Sequence, residues 1–165
     1  MSAFDAFVVA HGTDTMHFSA SAVAFALGSG LNKPVVFTGA QTAPEVLHGD
    51  ARVNLIRAFK VALENLAEVA ICFGDFVFRA TRTQKKDERK FDAIESPSFS
   101  PIGYSTEDIL LTGLARKTRD PPEELNFRPF FASGVAQFSL IPGLEPELIR
   151  TVIESPTCNG LILQS

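Results

Sequence analysis

A hydroxyl and a carboxylate stand side by side in His11-Gly12-Thr13-Asp14-Thr15-Met16. The four apolar residues before them, Phe7-Val8-Val9-Ala10, read as a buried strand that ends where the polar turn begins. The Ala-rich stretch Ser19 to Leu27 then reads as a helix, closed by Gly28 and Gly30. A strand-to-helix turn is where open α/β sheets hold ligands, because the helix start offers free N–H groups. Thr13 and Asp14 could therefore hold a small polar substrate, or could simply cap the helix and fill its first turn. His11, directly after a buried strand, fits a structural histidine better than a base.

Positioning these groups requires a scaffold, and apolar periodicity supplies an alternating β/α order. Val35 to Thr38 is the next strand, and Arg52 to Leu66 forms a helix with Val53, Ile56, Phe59, Leu63 and Leu66 on one face. The unbroken run Val69 to Phe73 suits a central parallel strand, and Phe76 to Ala80 a further short one. Thr81 to Lys90 reads as a charged loop. Beyond it, Ile109 to Leu111 is a strand, and the charged span Arg116 to Phe127, with Pro121-Pro122, is a linker. Gly134 to Ile141, Pro146 to Ile153 and Gly160 to Leu163 follow as strand, helix and strand. The expected class is α/β, with an open, mostly parallel sheet flanked by helices.

Composition removes several kinds of function. The 165 residues are 45% apolar with a net charge of −4, enough for a real core and too acidic for nucleic-acid binding. No apolar run reaches the roughly 18 to 20 residues of a membrane span. The N-terminus lacks a basic-then-apolar signal pattern, so a cytoplasmic location is expected. Cys72 lies inside an apolar run, Cys158 in a turn, and three scattered histidines give no zinc spacing. Gly28-Ser29-Gly30 follows a helix rather than a strand, the wrong order for a phosphate loop. A Gly-x-Ser-x-Gly elbow is absent. Asp50 reads as a cap for the helix at Arg52, and Arg79 and Arg82 as surface partners of Asp75, Asp87 or Asp92.

The wording of the first motif resembles the second signature of the asparaginase and glutaminase family of amidohydrolases. Four later segments agree in order: Pro34-Val35-Val36-Phe37-Thr38-Gly39-Ala40-Gln41, Gly49-Asp50-Ala51-Arg52-Val53-Asn54-Leu55, Arg82-Thr83-Gln84-Lys85, and Phe91 to Pro97 ending at Pro101-Ile102-Gly103. A weaker match runs from Ile141 to Leu148. The resemblance implies an N-terminal α/β domain over 1–115, a linker over 116–129, and the opening β-α-β of a smaller second domain over 130–165. Its first strand and the Thr-Gly-Gly-Thr turn that carries a nucleophilic threonine have no counterpart here, since only ten residues precede His11. The sequence thus looks like the middle of an asparaginase, trimmed at both ends.

What the resemblance implies about chemistry is specific. Amide hydrolysis needs a nucleophile, a proton acceptor and donors for the oxyanion. Thr13, Lys85 and Asp14 are the expected catalytic triad, with a one-residue slip to Lys86 as the rival assignment. An ordinary lysine amine is a poor base at neutral pH; burial favours its neutral form and a nearby carboxylate its charged form. Gly12, Thr13, Asp14 and Ala40 are the expected substrate-binding residues, Asp14 gripping the α-amino group and Ala40 offering its carbonyl to the side-chain amide. The implied substrate is L-asparagine or L-glutamine, the implied state a homo-oligomer (dimer or tetramer), and no metal or organic cofactor is implied. Three readings follow: an L-asparagine amidohydrolase that is active as an oligomer when a longer product or a partner chain supplies the missing nucleophile segment, without which this chain is inactive; a non-catalytic amino-acid-binding remnant; or an asparaginase-like module of a tRNA-dependent amidotransferase.

Overall fold

A computed structural model describes residues 3–164 and divides the chain into two units, 1–128 and 129–165. The first unit contains β1 (Phe7–Ala10), α1 (Met16–Leu27), β2 (Val35–Thr38), α2 (Ala51–Ala62), β3 (Val69–Phe73), β4 (Phe76–Arg79), a 3-10 turn at Ala80–Arg82, β5 (Gln84–Lys85), β6 (Ile94–Glu95), β7 (Gly103–Ser105) and β8 (Ile109–Leu111). Six strands form one sheet in the order β1-β2-β3-β4-β7-β8. β1, β2 and β3 are mutually parallel, β4 turns back against β3, β7 against β4 and β8 against β7. Four of the six strands therefore run one way. The sheet is α/β, open and flanked by helices, with its antiparallel part gathered at one side.

β2 and β3 are buried along their whole length and are apolar at every position but Thr38, whereas β1 is the edge strand, with Phe7 and Ala10 exposed. Val35, Phe37, Val69, Ile71 and Phe73 pack with Met16 and Ala20 of α1. The alternate residues Val36, Ala70 and Cys72 pack with Ala58, Val61 and Ala62 of α2. The two helices thus cover opposite faces. Each connection nevertheless moves one strand along in the same direction, β1 to β2 to β3. Two such crossovers on opposite faces must have opposite hands, so one of them departs from the usual right-handed rule.

That departure opens the sheet where it matters. The chain leaves β1 toward one face and β2 toward the other, so the two loops diverge at the carboxyl ends of adjacent strands. A crevice at such a switch point is the general ligand position of open α/β sheets. Gly39, just past β2, permits the close approach beneath it: a Cβ there would collide with the His11 carbonyl and the Met16 side chain.

Two expectations need correction. Helix α2 ends at Ala62, and its inward face is Asn54, Ala58, Val61 and Ala62. Val53, Ile56, Phe59 and Leu63 point outward, opposite to the stripe read from the periodicity. Leu66 is fully buried, but beyond the helix. The charged stretch after β4 also contains a strand, because Gln84 and Lys85 pair antiparallel with Glu95 and Ile94.

The stretch 116–128 carries no helix or strand, yet it is tied to the first unit. The Ala67 amide donates to Arg116 carbonyl, the Thr118 amide and hydroxyl donate to Asn65, and the Arg128 amide donates to Ala26 carbonyl. The second unit contains β9 (Val135–Ser139), α3 (Pro146–Ile153) and β10 (Gly160–Gln164), with β9 and β10 paired in parallel. Among the described residues, no helix is long and apolar enough to cross a membrane.

Candidate active site

Thr13 follows β1 in the turn that leads into α1, and only 8% of it is exposed. Lys85 reaches it from a hairpin more than seventy positions later in the chain. That hairpin is pinned by Ile94, which is 2% exposed and belongs to the core, and by the Lys86 amide donating to Ala93 carbonyl. The Lys85 side chain is 12% exposed. Its Nζ donates to Thr13 Oγ1 at 3.0 Å and to Asp14 Oδ1 at 2.5 Å. The structure therefore brings the side chains of Thr13, Asp14 and Lys85 together. Lys86 pairs instead with Asp92 at 2.6 Å.

Asp14 is the open member of this group, with 85% of its side chain exposed. The hydrogen bond from Lys85 and its positive charge hold the Asp14 carboxyl below the ordinary aspartate range. An open cleft of about 340 Å³ lies over the group, lined by Asp14, His17, Lys85, Lys86, Asp87 and Glu88. Its floor carries an ionised acid and an amine side by side, which suits a small zwitterionic ligand.

The loop after β2 reaches the group through Gln41, which contacts Thr13. Asp50 stands at the N-cap position of α2, but its side chain makes no capping bond to the helix. The carboxylate instead accepts the Gln41 amide at 2.9 Å, the Thr42 amide at 3.1 Å and the Thr42 hydroxyl at 2.8 Å. The expected helix cap is thus a loop anchor. Fixing the Gln41 N–H also fixes the Ala40 carbonyl, which points the other way across the same trans peptide. Asn54, 2% exposed, braces the loop from below. It donates to Gly39 carbonyl at 2.9 Å and accepts the Gly74 amide at 3.1 Å.

Gly12 is exposed, and a Cβ there would meet nothing, so its backbone faces open space. His11 serves the framework: its amide donates to Thr38 carbonyl at 2.8 Å, and its Nδ1 lies 2.7 Å from Gly12 carbonyl. Arg79 does not pair with Asp75, Asp87 or Asp92 but with Glu68, and Arg82 lies over the Phe99 ring. Burial pushes the Cys72 thiol up to about 11, so it packs as an inert core residue.

Two residues of the site were not singled out by sequence reasoning. Gln41 accepts the Thr13 hydroxyl proton through its Oε1 at 2.8 Å. Its place just past a buried strand, within a loop that faces Thr13, was the available signal. His17 lines the cleft with its Nδ1 buried and unpartnered among the described residues, and burial lowers its pKa. It lies three positions after Asp14, on the same side of the helix start. Among the described residues no group of three or more His, Cys, Asp or Glu side chains could hold a metal ion.

An α/β sheet with a Thr–Lys–Asp group at its switch point is an amidohydrolase-like architecture, and the comparisons define it further. The family model for the asparaginase N-terminal domain matches residues 1–114. The chain belongs to the asparaginase family. It is 34% identical over 163 residues to the 60 kDa lysophospholipase of Mus musculus, covering 98% of this chain and 28% of that protein. It is also 34% identical over 168 residues to L-asparaginase 1 of Escherichia coli K12, covering 98% of this chain and 47% of the relative. The crystal structure of L-asparaginase I from Vibrio cholerae superposes with a TM-score of 0.88 at 32% identity, covering 97% of this chain and 48% of that one. The chain spans about half, or less, of the length of the relatives it matches.

Proposed function

We propose that this chain contributes the Thr13–Lys85–Asp14 part of an amidohydrolase site that converts L-asparagine and water to L-aspartate and ammonia. The observation that carries the reading is the position of Lys85 Nζ, within hydrogen-bond distance of both the Thr13 hydroxyl and the Asp14 carboxylate. In its neutral form the Lys85 amine takes the Thr13 proton, and the freed oxygen attacks the carboxamide carbon. The C–N bond then breaks, ammonia leaves with the proton held by Lys85, and water hydrolyses the ester. Asp14, ionised and exposed, receives the substrate α-ammonium group. Gly12 and the start of α1 face the α-carboxylate, and the Ala40 carbonyl accepts from the carboxamide N–H.

L-Glutamine carries the same reacting group one methylene further out and is the second candidate substrate. The protein works as a homo-oligomer in the cytoplasm and uses no metal or organic cofactor. Residues 1–115 form the N-terminal domain, 116–129 its link, and 130–165 the opening of a second domain. The parallel β9-α3-β10 unit, which lies past the matched family region, supports this division.

Ammonia release from L-asparagine, measured beside L-asparagine binding by calorimetry, tests the reading. Turnover that disappears in both Thr13→Ala and Lys85→Met, with folding intact, is the expected result. Undiminished turnover in Thr13→Ala would remove Thr13 from the chemistry. A folded chain that neither binds nor hydrolyses L-asparagine would overturn the proposal.

A further inference from the structure

A threonine hydroxyl has one proton to give. In this structure Thr13 Oγ1 gives it to Gln41 Oε1 at 2.8 Å, while Lys85 Nζ donates to the same oxygen at 3.0 Å. Thr13 therefore cannot pass its proton to Lys85 until the contact with Gln41 is broken. The group that makes this contact is a side-chain carboxamide, the same functional group that the reaction named above would cleave.

We propose that the Gln41 carboxamide is an internal stand-in for the substrate carboxamide, which L-asparagine displaces when it binds. Three observations carry this beyond coincidence of chemistry. First, the contact already places a carboxamide against the Thr13 hydroxyl, its oxygen 2.8 Å from Oγ1. Second, the Gln41 backbone is held independently of its side chain, through the amide bonded to Asp50 at 2.9 and 3.1 Å. The side chain can thus swing away while the loop stays in place. Third, the only other hydrogen bond of the side chain among the described residues is weak: Nε2 reaches Asp87 carbonyl at 3.5 Å. Little holds Gln41 except the hydroxyl it shares with the substrate.

Gln41 gives the nearly buried Thr13 hydroxyl its hydrogen-bond acceptor. Once displaced by a ligand carboxamide, it frees the hydroxyl proton to turn toward Lys85. Gln41 is in this sense a positioning residue that also sets affinity: a carboxamide ligand must displace the Gln41 contact before the hydroxyl oxygen can face its carbonyl carbon, whereas a ligand without one need not.

The inference rests on the reading of the site as one for L-asparagine. Its test is the dissociation constant of two ligands, L-asparagine and L-alanine, followed by chemical-shift titration of the wild-type chain and of Gln41→Leu. L-Alanine offers the same α-ammonium and α-carboxylate groups but has no carboxamide. Gln41→Leu should tighten L-asparagine roughly three- to tenfold, the span of one neutral hydrogen bond, and leave L-alanine unchanged. Gln41→Ala, which removes more of the side chain, should give the same split. Equal changes for both ligands, no change for either, or weaker L-asparagine binding would overturn the role of Gln41 alone. Absence of L-asparagine binding in every form of the folded chain would overturn the functional reading and this inference together.

Discussion

Arg79 and Lys85 lie six residues apart, yet their ion pairs do opposite kinds of work. Arg79 sits beside the amino end of β3, where its Nε and Nη2 donate to Glu68 at 2.5 and 3.2 Å. Glu68 is 5% exposed and also accepts the Arg116 amide at 2.9 Å. Arg79 donates further to Leu114 carbonyl at 2.8 Å and covers the Phe99 ring at 4.8 Å. Both carboxylate oxygens of Glu68 are engaged within the fold, and Arg79 makes three hydrogen bonds there. The pair of Lys85 with Asp14, at the carboxyl ends of the parallel strands, leaves the carboxylate largely in solvent. One is closed and structural. The other is open, and an incoming ammonium group can take a place in it.

The comparison breaks most easily at the closed pair. Glu68→Ala leaves the Arg79 guanidinium with only a carbonyl and a ring, and removing one partner of a buried pair costs about 3–5 kcal/mol. Urea unfolding followed through Tyr104, the chain's single tyrosine in a protein without tryptophan, reports this directly on the first unit. A loss well under about 1 kcal/mol would mean that solvent reaches the pair and that its closure is not structural.

At the open pair the effect should shift from stability to function. Lys85→Met keeps the length of the side chain and removes its charge, so the urea midpoint should stay nearly where it was while ammonia release disappears. A large drop in the midpoint, comparable with that of Glu68→Ala, would show Lys85 to be a structural residue.

The smallest effect is an acid limb. Lys85 holds the Asp14 carboxyl below its ordinary value, so the pair's contribution is complete above the ordinary carboxyl range. It is lost as the pH falls through the lowered value. Wild-type and Asp14→Asn stability, compared from about pH 6 down to about pH 2, should differ at the upper end and converge at the acid end. Parallel curves would show that Asp14 and Lys85 do not interact in solution.

Legibility in the sequence followed the range of the interaction. β2 and β3 were readable because both faces are buried and nearly every position is apolar, and β1 because four apolar residues run straight into a polar turn. α1 was readable from its Ala-rich stretch Ser19 to Leu27, although the helix begins three residues earlier, at Met16, whose side chain packs with Ala20 into the same core. Apolar spacing failed on α2. Two faces there can pass for the inner one, the bulky stripe of Val53, Ile56, Phe59 and Leu63 and the smaller set of Ala58, Val61 and Ala62. Small residues won because they let the helix lie close to the sheet, and because Asn54 on that side bonds Gly39 and Gly74. The two-residue strand at Lys85 and the three-residue β7 are too short to leave a period.

Thr13 and Asp14 were legible as chemistry because adjacent residues at a strand-to-helix turn stay adjacent in any fold that keeps the turn. Local order also sufficed for the family resemblance, since motifs keep their order along the chain. The partnership of Lys85 with Thr13, the choice of Lys85 over Lys86, the loop anchored by Asp50 and the contact of Gln41 all depend on segments brought together across the sheet. So does the opposite hand of the two crossovers, which parts the loops after β1 and β2. Apolar spacing states which residues seek a core; only packing both sheet faces at once decides which face each helix takes and what then meets at the edge.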